Sequence, residues 1–186
     1  MSKEFSDCIQ PKQFWELLKV KLDSWWKIDA EKKTENFNVI PQRTCLILPL
    51  LIDLGRENNY HIETEAFPHI DIGYYSEYTS KEWAKWSFEI AIEHENSAYP
   101  SWCNECSKLM GINAGLKVLI SYYSETFEKL SEELNEFPPI YQSRKFHQLE
   151  DNYLFVFIPL ECFDETDKYS VFEYSNNKLQ PIQKGK

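Results

Sequence analysis

Glycine is scarce in this chain, with 5 among 186 residues. Neither a GxGxxG turn nor a GxxxxGK[ST] loop can be found, which excludes the usual glycine-rich nucleotide cradles. Long apolar runs are also missing. The longest is CLILPLLI, from Cys45 to Ile52, far too short to span a bilayer. The start, MSKEFSDCIQPKQFW, has no apolar export segment. Cysteine is sparse and odd in number: Cys8, Cys45, Cys103, Cys106 and Cys162 do not form a disulfide framework. These absences describe a soluble, reduced, cytoplasmic chain with no membrane partner. Positive charge is short as well. Against 30 Asp and Glu stand 20 Lys and Arg, a formal net charge of −10. That balance argues against a general electrostatic grip on nucleic acid or anionic lipid.

What is present is a globular composition, 42% hydrophobic and 16% aromatic. It suits a single domain over 1–186. Pro11 opens a helix reaching Ile28, with Phe14, Leu18, Leu22 and Trp25 on one face and Trp15, Trp26 and Ile28 widening the stripe. A second helix starts near Pro41, passes Pro49, which should kink it, and stops at Gly55. Two short strands, Tyr60–Phe67 and His69–Ser76, break at Pro68. Trp86–Glu95 alternates: Trp86, Phe88, Ile90 and Ile92 point one way, and Ser87, Glu89, Ala91, Glu93 and Glu95 the other.

A helix over Ser101–Asn113 and a strand over Leu116–Tyr123 complete a right-handed parallel crossover. Ser124 caps a further helix that Pro138 and Pro139 terminate. Asn152–Leu160 is an apolar strand, and YSVFEY and KLQPI form a hairpin around Asn176–Asn177. The fold class is α/β, with a mixed central sheet flanked by helices and antiparallel strands early and late.

The chemistry concentrates in Asp71, Glu93 and Glu95. Glu93 and Glu95 lie two residues apart on one strand, so they share a face. Asp71 precedes Glu93 by 93 − 71 = 22 residues, on its own strand. If those strands pair, three carboxylates converge, and converging carboxylate oxygens suit a hard cation such as Mg²⁺. The plain alternative is that Glu89, Glu93 and Glu95 form the solvated face of an amphipathic strand.

The strings PHIDIGYY and FEIAIEHEN, followed by a helix and LKVLISYY, resemble the restriction-endonuclease-like PD-(D/E)XK nuclease superfamily over about 41–123. The helix over 11–28 and the helix and strand extension over 124–186 lie outside the likeness. The resemblance implies a core of helix, strand hairpin, third strand, helix and fourth strand. It implies a Mg²⁺ (or Mn²⁺) site on Asp71 and Glu93, helped by the backbone carbonyl of His94. His69 and Ile70 separate Pro68 from Asp71, and Glu95 stands where the family has lysine. Glu95 would then be an ExE-type ligand or general base. Lys108, or alternatively Lys117, would supply the missing lysine, and Glu16, Asp53 or Glu57 a helix-borne carboxylate. The implied activity is phosphodiester hydrolysis on DNA, bound weakly and locally. The alternative is an inactive nuclease-fold protein that serves as a protein-binding or regulatory module.

Other motifs carry blander readings. Cys103-x-x-Cys106 has no second pair at zinc spacing and fits simple packing. The His94 side chain continues the Ile90–Ile92 row and should pack. His61, His69 and His147 have no Ser or Cys partner at triad spacing. Arg144, Lys145 and His147, interleaved with Tyr141 and Phe146, and the tail lysines Lys178, Lys184 and Lys186 fit solvated surface. The acid-rich SETFEKLSEELNEF fits a solvated helix face.

Overall fold

The computed structural model describes residues 9–32, 40–66, 70–76, 87–95, 102–123, 126–143, 151–159 and 169–185; side chains over 25–46 and at 65, 66 and 87 are not among them. α1 (Pro11–Lys32) begins at the expected proline and runs past Ile28. Phe14, Trp15, Leu18 and Leu22 are all buried. Full burial of one such side chain contributes about 1.5–3 kcal/mol. The side chains of Trp25, Trp26 and Ile28 lie outside the described residues.

α2 (Ile40–Glu57) contains Pro49 and runs two residues beyond Gly55, which therefore does not end it. The stop is Asn59, at φ 61°. The Tyr60 N–H donates to Gly55 O at 2.9 Å and the Asn59 N–H to Arg56 O at 3.0 Å. That bond pair closes the last turn around a left-handed residue. Gly55 has a packing reason instead: a Cβ there would lie 2.9 Å from Tyr74 Cε1.

Among the described residues, seven strands form one sheet in sequence order: β1 (His61–Ala66), β2 (Ile70–Tyr75), β3 (Ser87–His94), β4 (Asn113–Tyr123), β5 (Asn152–Pro159), β6 (Ser170–Ser175) and β7 (Lys178–Gln183). β1–β2–β3 and β5–β6–β7 are antiparallel meanders; β3–β4 and β4–β5 are parallel. The final hairpin turns at Asn176 and Asn177, both at positive φ as expected.

α3 (Trp102–Met110) links β3 to β4. α4 (Phe127–Leu134) and α5 (Phe137–Gln142) link β4 to β5. Thr126 caps α4, its hydroxyl accepting the Lys129 N–H, in place of the expected Ser124. Pro138 and Pro139 do not end the helical stretch: they sit at the first turn of α5, where a missing N–H costs nothing.

The sheet separates two cores. One joins α1 and α2 to Ile72, Ile90, Ile92 and Val118; the other joins α3, α4 and α5 to Ala91, Leu119, Phe155 and Phe157. The strict alternation expected along β3 breaks near Glu89. Phe88 packs in the α3 core, not with Ile90 and Ile92. Its ring covers Gly73, where an added Cβ would meet Phe88 Cε1 at 2.3 Å. No described helix is long and apolar enough to cross a membrane.

Candidate active site

β2 and β3 pair with Ile72 opposite Ile92 and Gly73 opposite Ala91. One further step in that register sets Asp71 opposite Glu93. Directly opposed residues have Cβ atoms about 4.5–5.5 Å apart, so the two carboxyls meet at the C-terminal end of β3. The Asp71 side chain is fixed there, its Oδ2 accepting the His94 backbone N–H at 2.8 Å.

Glu93 does not lie on a solvated face. It is 1% exposed, because α3 covers this face of the sheet. Burial, and then the negative charge of Asp71, push the Glu93 pKa up to about 9. Burial raises Asp71 as well, against the lowering effect of the His94 N–H. Two carboxyls in one dry site cannot both ionise cheaply. Glu93 Oε1 is buried with no hydrogen-bond partner.

The third carboxylate is Glu105, in the first turn of α3. Its negative charge adds to that of Asp71 in raising the Glu93 pKa. It also forms an ion pair with Lys108, one helical turn on. Burial works against the Lys108 ammonium, but the Glu105 bond and the charges of Glu93, Glu105 and Asp71 raise its pKa on balance. Lys108 thus reaches this cluster. Glu105 is not among the residues expected from the sequence pattern. The available signal was its place three residues after Trp102 and four before Leu109, both buried, which edges it toward the sheet.

The remaining residues separate cleanly. Glu95 follows β3, half-buried, its N–H donating to Ile120 O at 2.9 Å. The His94 ring enters the opposite layer. It is 5% exposed, lies 3.2 Å from the Tyr122 hydroxyl through Nε2, and burial lowers its pKa to about 4. Lys117 is not at a strand head but inside β4, 1% exposed. Its Nζ bonds Asp151 Oδ2 at 2.6 Å, and the Tyr141 hydroxyl donates to the same oxygen. Lys117 therefore belongs to a separate buried network.

Glu16, Asp53 and Glu57 are exposed on α1 and α2, the layer opposite α3; Glu57 pairs with Lys21 and Asp53 with Arg56. The helix carboxylate whose charge Glu93 feels is Glu105, on α3. Tyr141, expected on a basic surface, is fully buried. Arg144, Lys145, Phe146 and His147 lie outside the described residues. Among the described residues, no three His, Cys, Asp or Glu side chains stand at metal-ligating spacing. Cys103 is exposed, Cys106 is buried, and both are free thiols. No family model, curated protein or solved structure matches the chain.

Proposed function

We propose that the chain is a small Mg²⁺- (or Mn²⁺-) dependent phosphodiester hydrolase, endonuclease-like and acting on DNA. It would be a divergent member of the restriction-endonuclease-like superfamily. The observation that carries this reading is the pair Asp71 and Glu93, abreast on adjacent strands in a buried site that Lys108 reaches. The order α2, β1, β2, β3, α3, β4 supports it, being helix, hairpin, third strand, helix and fourth strand.

The residues fit a hard divalent cation in donor chemistry. Asp71 and Glu93 offer oxygen, with the His94 backbone carbonyl beside them, and Glu93 Oε1 has no hydrogen-bond partner. The chemistry a bound Mg²⁺ supplies is a water of lowered pKa and compensation of phosphate charge. Asp71 is held in orientation by the His94 N–H. Lys108, exposed beside Glu105, offers a positive charge to a phosphate at the rim of the cluster. Glu95, at the end of β3, would orient the attacking water as general base. With a net charge of −10, DNA binding would be weak and salt-sensitive, through a local basic rim or with a partner protein supplying the grip.

A second reading, a catalytically inactive nuclease fold serving as a protein-binding or regulatory module, is favoured by two observations. Glu93 is 1% exposed, and Lys108 is already engaged by Glu105. One experiment separates the two. Plasmid and single-stranded DNA are incubated with the protein in Mg²⁺, Mn²⁺ or EDTA, beside Asp71→Ala and Glu93→Ala. Metal-dependent cleavage lost in both variants supports the hydrolase. Cleavage that survives both sinks the site, and no cleavage by any form supports the module.

A further inference from the structure

Glu93 is 1% exposed, and its neighbours explain why. On β4 it stands beside Leu119, which is fully buried. Trp102, Cys106 and Leu109 of α3 are buried in the core on that same face of the sheet. The Trp102 ring meets Phe157 of β5 edge-on, with centroids 5.7 Å apart. Asp71 and Glu95 are half-buried. Among the described residues, the pair Asp71 and Glu93 is therefore approached from the end of β3, beside Glu95, and does not lie on an open face. A phosphate that reaches it has to leave the protein surface.

The cations nearby and elsewhere are engaged. Lys108 pairs with Glu105, Lys21 with Glu57, Arg56 with Asp53, Lys117 with Asp151 and Lys184 with Glu128. Over the whole chain 30 acids outnumber 20 Lys and Arg. A firm grip on a duplex draws on roughly six to ten phosphate contacts at once. The ion pairs and the net charge of −10 leave no surplus of that size.

Resting on the proposed hydrolase reading, we infer that its substrate is an unpaired strand, from which one phosphodiester turns inward at the end of β3, and that intact duplex is a poor substrate. Duplex DNA carries about one charge per 1.7 Å, twice the density of one strand. It is also stiff, with a persistence length of about 50 nm. A rod of that kind cannot turn a single phosphate beneath the surface without bending, and the extra cation contacts that normally compensate a bend are missing here. An unpaired strand rotates freely about its backbone bonds. It presents one phosphate at a time, so the acidic surroundings repel it less. A single ammonium, that of Lys108, then suffices at the rim.

The test uses end-labelled oligonucleotides of one sequence, incubated with the full chain in Mn²⁺ or Mg²⁺. Single strand, complete duplex, and a duplex with an internal unpaired loop are compared. Asp71→Asn and Glu93→Gln, each checked by circular dichroism, show which cleavage belongs to the site. The single strand should be cut with a kcat/KM roughly tenfold or more above that of the duplex. In the looped duplex the cuts should fall within the unpaired stretch, and both variants should abolish them. Site-dependent cleavage of the duplex as fast as that of the single strand, or faster, overturns this inference and leaves the hydrolase reading standing. Cleavage of none of the three, or cleavage that survives both variants, overturns that reading and the inference with it. Should one variant not fold, the other assigns the cleavage alone.

Discussion

Asp71 Oδ2 accepts the backbone N–H of His94 at 2.8 Å, so one carboxylate on β2 is tied to the end of β3 beside Glu93. The bond crosses the strand pair at the one place where β3 carries a buried acid. It holds the two acids side by side, so that each feels the other's charge.

The first consequence is a pH dependence of stability. In the presence of EDTA, folded Glu93 holds its proton up to about pH 9, whereas its ordinary value is 4.5. The unfolded chain releases that proton earlier. Stability is therefore full below about pH 4.5 and is lost as pH rises toward 9, by at most about 1.4 kcal/mol per pH unit for one proton. Urea denaturation from pH 5 to 9 should show this decline in wild type and a flatter profile in Glu93→Gln. An equal slope in both would mean that Glu93 is not the group responsible.

His94 works in the other direction. Its folded pKa of about 4 lies below the ordinary 6.5, because burial beside Tyr122 disfavours the charged imidazolium. The unfolded chain gains a proton first as pH falls from 6.5 to 4, so stability drops across that window. His94→Gln should remove the acid-side loss and leave the alkaline decline intact.

The two candidate lysines should behave as opposites. Lys117 is buried against Asp151, so Lys117→Met leaves that acid uncompensated and should destabilise the fold by about 3–5 kcal/mol. Lys108 is 43% exposed, and its ion pair should be worth at most about 1 kcal/mol. Lys108→Met should therefore melt close to wild type while losing the cleavage activity of the proposed hydrolase. The reverse pattern would transfer the catalytic role to Lys117.

Gly73 should be intolerant of any side chain. A Cβ would meet the Phe88 ring at 2.3 Å, so Gly73→Ala should cost about 1–3 kcal/mol through overpacking. Phe88→Leu placed in that background should recover part of the loss. Strictly additive effects in the double variant would show that the two residues are not in contact.

Asn59 offers a contrast at the end of α2. It sits at φ 61°, which glycine adopts freely and alanine does not. Asn59→Gly should be near neutral, and Asn59→Ala should destabilise by about 1 kcal/mol. Equal stability of both would remove Asn59 as the helix stop.

Much of this architecture was legible from local pattern. The Asn176–Asn177 turn, the proline start of α1 and the apolar run of β5 are decided by neighbours in sequence. The misreadings came where a distant partner decided. Gly55 makes room for the Tyr74 ring, and the helix stop falls to Asn59. Phe88 leaves the face of Ile90 to cover Gly73. Pro138 and Pro139 begin a helix whose residues Phe137 and Tyr141 pack into the second core.

The same division holds for the site. The spacing of Asp71 and Glu93 on two strands, read from residue order alone, was enough to expect carboxylates meeting across a hairpin, because strand side chains alternate with a period of two. Whether that face met water or protein was not in the local pattern, since a charged row reads alike when solvated and when covered. The crossover through α3 decided it. By covering the β3 face, it buried Glu93, brought Glu105 and Lys108 to the cluster from a separate element, and left Lys117 to an unrelated partner in Asp151.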